Sequence, residues 1–215
     1  MKEALLPDVE LFIFRHGESE WNAGNIKGPH VIGGRSNETP LSEIGEEQSK
    51  SLGRYLLREN LIPDQVYSSP AVRALSTCQL TLAELGLDIE IKVDDALQEL
   101  DQGEWVGQTR EEVYTEAVLT DMSQLDKDFR PPGGESIREV GIRKYNWAET
   151  KFADIAIPQR VFVFGHGMAT RSLAAHLHGW SREKTVSGIT DNTSMSLFKR
   201  NGSEWGLVYL GRMPE

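Results

Sequence analysis

Two short apolar runs, 150 residues apart, both end on a histidine set beside glycine. Val9-Glu10-Leu11-Phe12-Ile13-Phe14 leads into Arg15-His16-Gly17, and Arg160-Val161-Phe162-Val163-Phe164 leads into Gly165-His166-Gly167. Runs this short, rich in β-branched and aromatic residues and closed by charge or glycine, read as buried strands. Between them strand-like and helix-like segments alternate. That alternation predicts an α/β fold of three layers, with a mostly parallel central sheet flanked by helices. Ligands on such sheets sit beyond the carboxyl ends of the strands, which is where both histidines fall.

The intervening segments carry their own punctuation. Residues 17 to 40 hold five glycines, two prolines and three asparagines without periodicity, a loop long enough to expect a functional role. Ser42 caps a helix to about Glu59, with Glu43, Glu46 and Glu47 early, basic residues late, and Ile44, Leu52, Tyr55 and Leu56 as its inward face. Val66-Tyr67-Ser68 reads as a second strand. Ser69-Pro70 then reads as a cap followed by proline at the first helical position, opening a helix that Gly86 ends. Asp88 to Val93 reads as a third strand, and Ala96 to Gln108 as a loop. Helical and ambiguous signals alternate from Thr109 to Leu125. After the Pro131-Pro132-Gly133-Gly134 breaker, Glu135 to Phe152 is helical, as is Gly167 to Leu177. Ser194 to Lys199 and Trp205 to Leu210, joined through Asn201-Gly202, form a terminal hairpin. No repeat appears, and 215 residues suit a single domain spanning residues 1–215.

Composition excludes several function classes. The net charge of −10 opposes a general nucleic-acid or anionic-membrane binder, since long-range attraction has the wrong sign. The single cysteine, Cys78, excludes an internal disulfide framework. With no signal peptide read in Met1 to Val9 and no membrane-length apolar run, the expected location is the cytoplasm. No Walker-type phosphate loop, H-E-x-x-H or G-x-S-x-G is present. Glu84 stands six residues after Cys78 where a thiolate phosphate loop needs arginine. His176 and His178 are two apart on a helix and point about 200° from one another, so they make a poor metal pair. No metal and no cofactor is expected.

The residues beside the two histidines suit an anion. Glycine lets backbone N–H groups approach a ligand closely, and Arg15 beside His16 adds a bidentate fork suited to phosphate or carboxylate. Arg73 lies in the first turn of its helix, where a cation meets the positive dipole end. That costs up to about 1 kcal/mol unless an anion is shared between them, although a solvent-facing arginine with a nearby carboxylate fits the same sequence.

The segment Arg15-His16-Gly17-Glu18-Ser19-Glu20-Trp21-Asn22 resembles the signature of the histidine phosphatase superfamily, in its phosphoglycerate mutase-like branch. The likeness continues in order through Leu41–Gly45, Ser68–Ala74, Leu97–Gly107, Gly133–Ser136 and Phe164–Gly167. It implies that His16 is the nucleophile, forming a phosphohistidine, and that Glu99 is the proton donor and later the base. Arg15, Asn22, Arg73 and a charged His166, with the backbone at Gly17 and Gly167, would hold the phosphate. The like charges of Asp101 and Glu104 would keep Glu99 protonated.

The family holds both hydrolases and mutases. Mutases usually carry a basic insertion after the Glu99 block, whereas residues 108 to 130 offer only Arg110, Lys127 and Arg130 against six acidic residues. This favours a metal-independent phosphatase of a small phosphorylated metabolite, with a phosphoprotein as a further substrate class. A phosphoglycerate mutase, or a catalytically silent regulatory relative, is the alternative. Within residues 25 to 35, Lys27, His30 and Arg35 are placed to enter the pocket or to remain on a solvated loop. Trp105 and Phe129 are placed to wall it or to pack elsewhere.

Overall fold

A computed structural model describes residues 8–26, 31–155 and 157–215. Lys27, His30 and the amino-terminal residues read against a signal peptide lie outside the described residues. The strands are β1 (Val9–Arg15), β2 (Gln65–Ser68), β3 (Ile91–Val93), β4 (Gln159–Gly165), β5 (Met195–Asn201) and β6 (Glu204–Arg212). The helices are α1 (Glu43–Arg58), α2 (Val72–Leu85), α3 (Arg110–Val113), α4 (Glu116–Leu125), α5 (Ile137–Phe152), α6 (Gly167–His178) and α7 (Arg182–Ser187). One six-stranded sheet runs β3-β2-β4-β1-β5-β6. The first four strands in that order are parallel, and the terminal hairpin adds two antiparallel strands at one edge.

The near-continuous apolar character of β1 and β4 follows from burial on both faces. Leu11, Ile13, Val161 and Val163 pack with Trp147 and Phe152 of α5 and Leu173 of α6. Phe12, Phe14, Phe162 and Phe164 face the other way, onto Leu52 and Leu56 of α1 and Leu82 and Leu85 of α2. Those four rings stack or meet edge-on at centroid distances of 5.0–6.4 Å. Each such buried side chain contributes roughly 1.5–3 kcal/mol. The three layers expected from the sequence are therefore present. Among the described residues no helix is long and apolar enough to cross a membrane.

β1 and β4 are immediate neighbours, paired from Val9↔Gln159 to Arg15↔Gly165. This register carries the two histidine loops off the same end of the sheet, side by side.

Several local expectations change. Ile44 is 60% exposed; the inward face of α1 starts instead at Gly45 and continues through Ser49, Leu52, Gly53 and Leu56. The amino end of α1 abuts the loop after β1, with the Glu18 carbonyl oxygen 1.9 Å from where a Gly45 Cβ would stand, so only glycine fits there. Helix α2 begins at Val72 behind Ala71, with no side-chain cap; the Ser69 hydroxyl accepts from Ala71 N at 3.4 Å and meets His166 Nε2 at 2.8 Å. β3 is shorter than expected, starting at Ile91. His176 packs its ring on Tyr145 and His178 on Trp180, the packing role that their spacing indicates.

Candidate active site

The rings of His16 and His166 lie 5.3 Å apart, edge to face, at the carboxyl end of the β1/β4 pair. His16 is buried, and its Nδ1 lies 2.7 Å from the Gly17 carbonyl oxygen. A carbonyl only accepts, so Nδ1 carries the hydrogen. On the other side Arg73 donates from Nε to His16 Nε2 at 3.2 Å. Both partners therefore fix the neutral tautomer with its lone pair on Nε2. Burial, followed by Arg73 and Arg15, holds the His16 proton affinity well below the ordinary imidazole value.

His166 is fixed by the same logic in the opposite tautomer. Arg73 Nη2 reaches its Nδ1 at 3.3 Å, and its Nε2 lies 2.8 Å from the Ser69 hydroxyl oxygen. An arginine only donates, so the hydrogen sits on Nε2. Complete burial, then the Arg73 charge, hold the proton affinity of this imidazole well below the ordinary value as well. The charged His166 expected from the sequence is thus overturned, because a buried ring beside a guanidinium is penalised for taking a second proton.

Arg73 connects these groups to the long loop. Its Nη1 donates to Ser36 O at 2.6 Å and its Nη2 to Gly34 O at 3.4 Å. Burial brings its pKa down to about 10. Arg15 leaves the end of β1 and donates to Thr190 O at 2.7 Å. Asn22 accepts from the Ser19 hydroxyl at 3.0 Å through its carbonyl oxygen, leaving its NH2 as the donor of the amide that lines the pocket.

The two glycines differ. Gly167 opens α6 and lines the pocket, and a Cβ there would lie 2.9 Å from Thr190 Oγ1 and 3.3 Å from Arg15 Cδ. Gly17 does not line the pocket; its N–H donates to Thr77 Oγ1 at 2.9 Å, and its Cβ position is 2.4 Å from Gly45 O. Its part is close packing of backbone rather than the ligand contact expected of it.

Glu99 sits against the start of α6. Its Oε1 accepts from Leu100 N at 2.8 Å and Ala169 N at 2.7 Å, and its Oε2 from Met168 N at 3.2 Å. Two of these donors, Met168 N and Ala169 N, belong to the amino terminus of α6, and the third is the next residue in the chain. Asp101 accepts from Gly103 N and faces Arg35 at 3.6 Å, while the main-chain N–H and C=O of Glu104 bond to Pro132 O and Gln108 Nε2.

Arg35 is also placed outside the pocket. It pairs with Glu135 at 2.7 Å and donates to Glu99 O at 3.0 Å. Arg143 of α5 joins from the other side, pairing with Glu135 at 2.9 Å and donating to Ala96 O and Gln98 O. The sequence reading found Glu135 in its motif without giving it this buttressing part, and passed over Arg143. Trp105 and Phe129 resolve as packing residues, in a satellite cluster with Ile32, Val113 and Met122.

The cavity in front of the histidines holds about 280 Å³. Arg15, His16, Asn22, Arg73, Glu99 and Gly167 line it, joined by Trp21, Ser36, Gln102, Arg110, Tyr114 and Arg171, which sequence reasoning did not assign. Arg110 had been visible only as a cation in an acidic segment. Arg171 lies four residues after Gly167, one helical turn on, which is the available signal for it. Among the described residues no three His, Cys, Asp or Glu side chains group as a metal site.

The model of the histidine phosphatase superfamily (branch 1) matches residues 11–212. A 2,3-bisphosphoglycerate-dependent phosphoglycerate mutase of Methylobacterium radiotolerans is 32% identical over 194 residues, 88% of each chain. The same enzyme of a Chelativorans species is 34% identical over 180 residues, 82% of this chain and 84% of that one. Among solved structures, a phosphoglycerate mutase of Bacillus anthracis superposes with a TM-score of 0.80 at 21% identity, covering 98% and 96% of the two chains. A mycobacterial glucosyl-3-phosphoglycerate phosphatase gives 0.77 at 24% identity, covering 96% and 100%. At these identities the two structures share the fold.

Proposed function

This chain belongs to the histidine phosphatase superfamily, branch 1, and from that premise we propose that it is a metal-independent phosphatase of small phosphate monoesters working through His16. The observation that carries the reading is the neutral His16 with its Nε2 lone pair held by Arg73 at the cavity wall.

In the first step Nε2 attacks phosphorus, the N–P bond forms and the ester P–O bond breaks. Glu99 gives its proton to the leaving alkoxide oxygen. That proton arrives with the substrate, bound as the phosphate monoanion. In the second step a water oxygen attacks the phosphohistidine, the N–P bond breaks, and Glu99 takes the water proton. Arg15 and Arg73, with Asn22 and the amino end of α6 at Gly167, stabilise the three equatorial oxygens. Preorganised positive donors supply most of what phosphoryl transfer needs. His166 serves as a neutral ring that fills the wall behind Arg73 and keeps that guanidinium aimed.

An aryl phosphate assay with and without chelator tests the proposal, together with mass spectrometry of acid-quenched and base-quenched enzyme. Chelator-insensitive phosphate release and an acid-labile phosphoryl group on His16 are expected. Turnover that vanishes with chelator and returns with metal overturns it.

A second reading is a phosphoglycerate mutase, and the curated relatives at 30–34% identity favour it by name. The segment from 108 to 130 by itself offers little to a sugar-acid bisphosphate: Arg130 is paired with Glu139, and of its three cations only Arg110 lines the cavity. Interconversion of 3- and 2-phosphoglycerate, primed with the bisphosphate and exceeding phosphate release, would establish the mutase.

A further inference from the structure

In a chain of net charge −10, the cavity is cationic. Arg15, Arg73, Arg110 and Arg171 all line it, and among the described residues none of the four forms an ion pair with a carboxylate. Seven arginines elsewhere do form such pairs. Glu99 is the one carboxylate among the described lining residues, and both histidines are neutral. Four guanidiniums against one carboxylate leave three positive charges, and a phosphate monoester bound as the monoanion neutralises one. Two cations lack a counter-ion, and burying a charge without one is costly.

Arg171 is the less exposed of the two by position. Arg15 and Arg73 border the histidine pair, and Arg110 is exposed to solvent at the start of α3. Arg171 is partly buried and held by its backbone partners: Nη1 donates to the carbonyls of Val186 and Gly188 at the end of α7, and Nη2 rests on Met168 Sδ at 4.0 Å. Its Nε is buried with no hydrogen-bond partner among the described residues. A guanidinium fixed by carbonyls keeps its full charge, and its fork is oriented in advance.

We propose that Arg171 forms a second anion subsite, so that the substrate is a phosphate monoester carrying a further anionic group, carboxylate or phosphate, on its alcohol portion. The proposal rests on the phosphatase reading above. Its test is the rate of phosphate release from three esters of one carbon skeleton: propyl phosphate, 3-phosphooxypropanoate and propane-1,3-diyl bisphosphate.

The native enzyme should prefer one or both of the doubly anionic esters over propyl phosphate by about 10- to 100-fold in kcat/KM, the range of one charge-assisted pair. Whichever of the two is preferred identifies the anion. In Arg171→Gln that ratio should fall toward unity, and in Arg171→Lys it should be kept in part. A merely structural role would lower all three rates together and leave the ratio unchanged. Equal rates on all three esters, or a ratio that survives Arg171→Gln, overturns the subsite while the phosphatase reading stands. No phosphate release from any ester overturns the phosphatase reading instead.

Discussion

Arg73 donates from Nε to Nε2 of His16 at 3.2 Å, so the nitrogen proposed to attack phosphorus is held as an acceptor by a permanent cation. The same guanidinium spans to His166 Nδ1, Ser36 O and Gly34 O. Lysine offers a point charge without this fork. Arg73→Lys should therefore lower kcat/KM on an aryl phosphate by about 10²–10³-fold, the cost of one preorganised donor. Loss of less than threefold would show that the fork is unimportant.

Both histidines release protons on folding. Their folded proton affinities lie well below the ordinary value of 6.5, so the neutral forms stabilise the fold fully above that pH. This stability is lost as pH falls below about 6.5, because the unfolded chain then binds more protons. Urea midpoints should drop between about pH 7.5 and about pH 5, and less steeply in His16→Asn, which cannot titrate. Identical slopes in the two proteins would remove His16 from the account.

Glu99 is clasped by three backbone N–H groups and lies on the cavity wall. In Glu99→Gln the amide keeps the shape, cannot cycle a proton, and presents NH2 to at least one donor. Turnover should fall by about 10²–10⁴-fold, the usual contribution of a general acid–base group. Inorganic phosphate should bind nearly as before. Unchanged turnover would remove Glu99 from the chemistry.

Gly45 is required by backbone packing. A methyl group there meets the Glu18 carbonyl oxygen at 1.9 Å and its N at 2.8 Å. Gly45→Ala should destabilise the protein by about 1–3 kcal/mol or more, as overpacking does. It should also slow phosphoryl transfer, because the displaced loop carries His16. A thermal midpoint equal to the native one would contradict the packing described here.

Lys144 is 1% exposed on α5, its amine has no hydrogen-bond partner among the described residues, and it lies 5.8 Å from the centre of the Trp147 ring. Burial brings its pKa down to about 7. The unfolded chain holds this proton up to about pH 10.4, so stability rises with pH between those values. At neutral pH the penalty is at most about 4 kcal/mol. Lys144→Met should raise the urea midpoint at pH 7 and flatten the alkaline rise. A lower midpoint would mean that the amine has a partner worth keeping.

Much of the fold was legible because its signals are local. The apolar runs of β1 and β4, the Ser42 cap with its acidic first turn and Gly86 in the left-handed region are each set by neighbours in the chain. Ile44 misled because it obeys a good local rule, inward spacing, that is overridden by a contact from farther along the chain, the loop after β1. Ser69 obeys the capping rule, yet the helix starts later, at Val72, and the Ser69 hydroxyl meets His166 from far along the chain.

By itself the sequence determined which residue types stand at the strand ends, Arg15, His16 and His166, and in the first turn of α2, Arg73, in their order and spacing. Only the tertiary structure decided their protonation, through burial and the Arg73 fork, and which arginines keep a free charge. Arg35 and Arg143 are spent on Glu135, whereas Arg171 and Arg110 face the cavity. Charge pairing depends on distances between segments far apart in the chain, and dielectric screening depends on what covers them. Neither is written in residue spacing.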